Sequence, residues 1–110
     1  MKLRVRRKKE RMMIKVIIGH RVKQGADIQP ILLKLRSNAM QYPGYVSAEN
    51  LVGEKDSSIV LVISTWQNVE NWKAWERSKI RAELYRQAEA LLKEEPKVTV
   101  YRVVPVQRWV

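Results

Sequence analysis

Residues 59–66 read Ile-Val-Leu-Val-Ile-Ser-Thr-Trp. A run of consecutive aliphatic residues this short, mostly β-branched, has no polar face to offer water, and it reads as a strand buried on both faces in the middle of a sheet. Its neighbours must lie on either side in sequence. Before it, Gly53-Glu54-Lys55-Asp56-Ser57-Ser58 is a polar turn of the length that joins antiparallel strands, and Tyr45 to Glu54 reads as the strand it joins. Alternation there predicts Tyr45, Ser47, Glu49 and Leu51 on one face and Val46, Ala48, Asn50 and Val52 on the other.

After Trp66 the apolar period changes from two to between three and four. Asn68 is placed to cap a helix carrying Val69, Trp72 and Trp75, and Ser78 to cap a second stretch carrying Ile80, Leu84, Ala88, Leu91 and Leu92, so the helical region is expected to break near Ser78. Glu94-Glu95-Pro96 stops it, because a residue before proline avoids the α region. Lys97 to Val106 reads as the last strand, with Pro105 marking an edge or exit. Toward the start, Met13 to Val22 alternates as a first strand. Ile28, Ile31, Leu32, Leu35 and Ala39 form the stripe of a first helix, which opens near Asp27 and Pro30 and ends at Tyr42-Pro43-Gly44.

The order is βαββαβ, which predicts an α+β, ferredoxin-like fold: a four-stranded antiparallel sheet with its helices on one face. The other face is left uncovered. Since residues 59–63 are apolar on both sides, a second copy of the chain is expected to pack sheet to sheet, with Val60 or Val62 facing it.

Hydrophobic residues make up 45% and charged residues 30% of the 110, the composition of one globular domain. With no cysteine there is no disulfide framework and no thiolate nucleophile, so a reducing, cytoplasmic location is expected. No apolar run is long enough to span a membrane. Residues 1–12 hold seven Lys/Arg and one Glu, supplying +6 of the formal +11. They read as a basic extension to a domain at 13–110. Such an arm can bind phosphates by counterion release. The body shows no nucleic-acid reading motif, so nucleic acid is not the expected partner.

The stretch Ile63-Ser64-Thr65-Trp66-Gln67-Asn68-Val69-Glu70-Asn71-Trp72-Lys73-Ala74-Trp75, followed by Ser78, carries a more specific pattern. Together with Arg21-Val22-Lys23-Gln24-Gly25 and Tyr42-Pro43-Gly44-Tyr45 it resembles the antibiotic biosynthesis monooxygenase (ABM) superfamily, over about Met13 to Val104. The resemblance implies a homodimeric α/β barrel with a pocket between sheet and helices in each subunit. It also implies one of several activities: cofactor-independent oxygenation of aromatic polyketides or quinols, haem degradation, or none established. The haem-degrading branch uses an Asn on the first strand, a helical Trp and a later His. Here Trp75 matches the Trp, the His position is Tyr85, and the Asn position falls near Ile18 or at His20. Two of the three differ, which speaks against that set and leaves no cofactor implied.

His20 is the only histidine, so no two-His metal site is available. In line with Ile14, Val16 and Ile18 on one strand face, it reads as a packed residue or a pocket polar group. Trp72 and Trp75 share a helical face and with Tyr85 can wall a planar ligand, although core packing alone also accounts for them. The reading is a homodimer binding a small aromatic molecule, with His20 and Tyr85 as catalytic candidates and Trp75, Trp72 and Asn50 as pocket candidates. It is either a cofactor-independent monooxygenase or, alternatively, a non-enzymatic ligand- or haem-binding module. Nucleic-acid association through the arm is a third reading.

Overall fold

The computed structural model describes residues 11–105, so the basic extension falls almost wholly outside the described residues, as does the chain from residue 106. The elements are β1 (Ile14–Arg21), α1 (Gln29–Ala39), β2 (Tyr45–Val52), β3 (Ile59–Trp66), α2 (Val69–Glu76), α3 (Lys79–Ala88), a single 3-10 turn (Glu89–Leu91) and β4 (Lys97–Arg102). This is the expected βαββαβ order, with the helical region broken where expected. Ser78 is extended at ψ 147, so α2 cannot run through it, and its side chain accepts from the Arg81 N–H to start α3 afresh. Asn68 does the same for α2 by accepting from the Asn71 N–H at 2.9 Å. In α1 the Asp27 carboxylate accepts from the Gln29 N–H at 3.0 Å and Pro30 sits in the first turn, where its missing donor costs nothing.

The sheet is antiparallel throughout, in the order β2-β3-β1-β4. Ile14, Val16, Ile18 and His20 of β1 lie opposite Trp66, Ser64, Val62 and Val60 of β3, and this side of the sheet carries the helices. Leu32, Leu35, Trp72, Trp75, Leu84 and Ala88 close over it to make the core. Trp66 is fully buried, and its indole N–H is satisfied by the Ser64 hydroxyl at 3.1 Å.

Two expectations about the strands are corrected. A β-bulge between Tyr45 and Ser47 pairs Tyr45 with Trp66 but Ser47 with Thr65. The extra residue turns Tyr45 to the helix side with Ala48 and Asn50, where its ring meets Trp66 edge-on at 5.5 Å. The second correction concerns β3: Val60 and Val62 face the helices, and its apolar residues on the uncovered face are Ile59, Leu61 and Ile63, opposite Arg21, Gly19 and Ile17. Glu49 flanks that patch on β2 and Lys97 on β4. β4 is an edge strand whose six residues are all exposed, including Val98 and Val100 on the helix side.

Gly44 closes the turn after α1 at φ +84, and a Cβ there would run into the Asn71 side chain of α2. Gly25 has a similar φ of +80 with open space around it. Gly44→Ala is therefore expected to cost roughly 2–4 kcal/mol, backbone strain and overlap together, against about 1 kcal/mol for Gly25→Ala. Equal melting temperatures for the two variants in thermal denaturation would contradict this packing of the turn on α2.

Candidate functional site

Arg81, Leu84, Tyr85 and Ala88 fall on one face of α3 and turn toward the sheet. Leu84 and Ala88 enter the core as apolar residues do. Arg81 and Tyr85 bring polar atoms to the same place. His20, near the end of β1, is 1% exposed and lies beneath them. Its Nδ1 is 2.9 Å from the Val60 carbonyl oxygen and its Nε2 is 3.0 Å from the Tyr85 hydroxyl. A carbonyl only accepts, so Nδ1 carries the proton. Nε2 then presents a lone pair to the Tyr85 O–H.

Burial holds the imidazole below its ordinary pKa, the Val60 hydrogen bond opposes this, and the nearby Arg81 charge pushes the same way as burial. His20 is accordingly neutral at pH 7. Burial also raises the Tyr85 phenol to about 12, with Arg81 opposing, so Tyr85 keeps its proton. A phenolate base at neutral pH is excluded.

The Arg81 guanidinium lies over the Tyr85 ring at 4.7 Å and over the Trp72 ring at 5.3 Å. Among the described residues its Nε is buried without a hydrogen-bond partner, so a water or ligand oxygen can serve as its acceptor. Arg81 and Tyr85 form the wall between two spaces. Inside, between sheet and helices, is a cavity of about 40 Å³ lined by Ile18, Leu35, Ala48, Val62, Trp72 and Trp75 among others. Outside, between α3 and β4, is an open groove of about 560 Å³, lined by Leu92, Pro96 and Val98 together with Glu89, Glu94, Glu95 and Lys93.

Of the residues singled out in the sequence, Tyr85, Trp72, Trp75 and Asn50 line the inner cavity together. His20 does not reach it and stands behind Tyr85. Trp72 and Trp75 also serve as core: Trp72 packs edge-on to Trp66 at 6.1 Å and Trp75 to Tyr42 at 5.2 Å. The cavity they share is too small for an aromatic ring, which needs on the order of 150 Å³. Space for one is found in the groove. Arg81 and Arg36, both on the cavity wall, went unnoticed in the sequence. For Arg81 a signal was present, since it lies four residues before Tyr85 on the apolar stripe of α3, an unusual place for a cation.

The residues present do not form a haem site. The sole imidazole commits Nδ1 to Val60 and Nε2 to Tyr85, and the two positions considered for the haem-degrading Asn are the buried, apolar Ile18 and His20 itself. Among the described residues no three His, Cys, Asp or Glu side chains converge, and no helix is long and apolar enough to cross a membrane.

Residues 13–91 match the sequence model of the antibiotic biosynthesis monooxygenase family, and the chain belongs to that family. No curated protein matches its sequence. Among solved structures it is similar to a candidate antibiotic biosynthesis monooxygenase from Caulobacter crescentus, with a TM-score of 0.79 at 12% identity over 93% of this chain and 99% of that one. It is also similar to SnoaB, a cofactor-independent oxygenase from Streptomyces nogalater, with a TM-score of 0.76 at 11% identity over 86% of this chain and 96% of that one. A conserved protein from Methanosarcina mazei matches with a TM-score of 0.76 at 15% identity, covering 87% and 97% of the two chains. At these identities the likeness is one of fold.

Because the folded-state pKa of His20 is depressed, the unfolded chain binds the extra proton first as pH falls. The stability contributed by neutral His20 is present above about pH 6.5 and is lost as pH drops through the folded value. The melting temperature is expected to fall as pH drops below about 6.5, and His20→Gln to flatten that dependence. An unchanged slope in the variant would remove His20 as its source.

Proposed function

We propose that this protein is an oxygenase of electron-rich aromatic hydroxy compounds, needing no prosthetic group, and that it works as a homodimer. One observation supports the reading: the buried Nε of Arg81, which has no partner among the described residues and whose guanidinium lies over the Trp72 and Tyr85 rings beside the groove. A phenol or quinol in the groove lays its ring along Leu92, Pro96 and Val98 and brings its oxygen to Arg81. The guanidinium favours the ionised form, in which the ring is a strong enough reductant to react with dioxygen directly. Tyr85, whose own proton is committed to His20, offers its oxygen lone pair to the substrate O–H. As that proton moves to Tyr85, the Tyr85 proton passes to His20 Nε2.

The balance of the reaction needs only dioxygen. The ring carbon para or ortho to the ionised oxygen forms a bond to one oxygen atom, the O–O bond breaks, and the second oxygen leaves as water with the hydrogen displaced from that carbon and one proton. The ring ends at the quinone level. The protein contributes orientation, exclusion of water and stabilisation of the anion. In the same reading the face bearing Ile17, Leu61 and Ile63 is covered by a second copy, because an apolar sheet face is seldom left in water and Glu49 and Lys97 at opposite edges suit a two-fold pairing.

Oxygen uptake with 1-naphthol and 1,4-dihydroxynaphthalene tests the activity. Wild type is expected to consume oxygen, Arg81→Met to lose roughly 10- to 100-fold in kcat/KM, the worth of one charge-assisted hydrogen bond, and Arg81→Lys to recover part of it. Saturable binding of naphthol with no uptake would instead favour a ligand-binding module. For the assembly, sedimentation is expected to give twice the chain mass and Ile63→Lys to give the monomer, since an unpaired charge buried in an interface costs several kcal/mol. A monomeric wild type would defeat the dimer.

A further inference from the structure

We propose that His20 is a positioning residue that fixes the hydrogen-bonding polarity of Tyr85, so that the wall of Arg81 and Tyr85 takes a ligand hydroxyl and turns away a carbonyl. The proposal rests on the reading of that wall as the ligand site and deepens it, because it separates a hydroxy substrate from its quinone product. The chain of constraints begins at Val60. Its carbonyl oxygen can only accept, so the His20 proton sits on Nδ1, 2.9 Å away. Nε2 is left with a lone pair, and at 3.0 Å the Tyr85 hydroxyl must donate to it. A phenol has one proton to give. With that proton turned toward His20, the side of the oxygen away from His20 holds only lone pairs, and Tyr85 meets a ligand as an acceptor. Burial keeps the imidazole neutral and so preserves this orientation.

Arg81 supplies the opposite polarity. A guanidinium only donates, and its Nε has no partner among the described residues. A donor and an acceptor side by side match a hydroxyl group, which accepts from Arg81 and donates to Tyr85. A carbonyl oxygen satisfies Arg81 but sets lone pair against lone pair at Tyr85. The other polar groups lining the inner cavity do not impose this choice: Arg36 only donates, the Asn50 amide can turn either way, and the Ser64 hydroxyl, already accepting from Trp66, has a proton to give. In the groove Glu89, Glu94 and Glu95 also accept, and their share of any selectivity is the part that survives when Tyr85 loses its hydroxyl.

The test compares two ligands of one shape, 1,4-dihydroxynaphthalene and 1,4-naphthoquinone, by calorimetric titration of the whole protein under nitrogen. Wild type is expected to bind the quinol roughly 5- to 10-fold tighter, the worth of one hydrogen bond. His20→Asn keeps a donor for the Val60 carbonyl but is too short to reach Tyr85, whose proton is then free to turn to the ligand, so the ratio is expected to fall toward one. His20→Phe makes the same comparison with the space filled, should the shorter side chain unfold the protein. His20→Gln, whose amide oxygen can accept the Tyr85 proton in place of Nε2, is expected to recover part of the ratio. A purely structural role for His20 weakens both ligands alike, so a wild-type ratio retained in the Asn and Phe variants would overturn the assignment, as would a ratio near one in wild type. Quinol selectivity that depends on His20 in a protein that never consumes oxygen would uphold the assignment while defeating the oxygenase reading. Oxygen uptake without that selectivity would do the reverse, and failure of either ligand to bind at all would overturn both.

Discussion

A buried imidazole has two nitrogens to satisfy, and His20 satisfies them by joining three elements: its own strand β1, the Val60 carbonyl of β3 and the Tyr85 hydroxyl of α3. Leaving either nitrogen unpaired would cost about 1–3 kcal/mol, so α3 is held at the one distance from the sheet that lets both bonds form. A second tie lies at the far end of the helix, where Lys23 N–H donates to Leu91 O and Lys93 N–H to Arg21 O, both at 2.8 Å. Fixed at its middle and past its end, α3 has no freedom to close down on β4. The groove is what remains between them.

The same hydrogen bond decides the electrostatics. With Tyr85 oriented by His20, Arg81 one turn earlier is carried over the Tyr85 and Trp72 rings, whose faces attract a cation without neutralising it. Glu94 binds Arg21 at 3.2 Å and Glu83 binds Arg86 along α3, while Glu89 and Glu95 line the groove together with Arg81 without forming a salt bridge to it among the described residues. Arg81 therefore faces a groove that also carries carboxylates. Burial, helped by the Arg81 charge, keeps His20 neutral, with its Nε2 lone pair held by the Tyr85 O–H.

Much of this was readable from local rules. The strand at 59–66, the caps at Asn68 and Ser78 and the break between α2 and α3 follow from residue types alone, and strand alternation put His20 on the buried face. Other features depend on groups far apart in sequence. The bulge beside Tyr45 reverses the facing expected for that residue, and no Gly or Pro in 45–52 announces it. That His20 stands behind Tyr85, 65 positions away, follows from how α3 crosses the sheet. Arg81 was passed over because a basic residue on a helix is ordinarily solvated; its meaning emerges only once Trp72 and Tyr85 are seen on either side of it. The cavity is smaller than the aromatic residues around it suggested because those rings fill the core as well as line the space.

The strand that borders the groove also borders the uncovered sheet face. Val98 of β4 points to the helix side and forms part of the groove, while Thr99 and Tyr101 point to the other side, level with Ile17 and Lys15. Among the described residues β4 pairs only with β1, and Val98 and Val100 are 39% and 41% exposed. An edge strand so lightly held is easily displaced by whatever packs on either side of it. In the proposed dimer, a copy of the chain seated on the uncovered face would stiffen β4 and set the width of the groove, so assembly and the proposed ligand binding would be coupled through this one strand from opposite faces of the sheet.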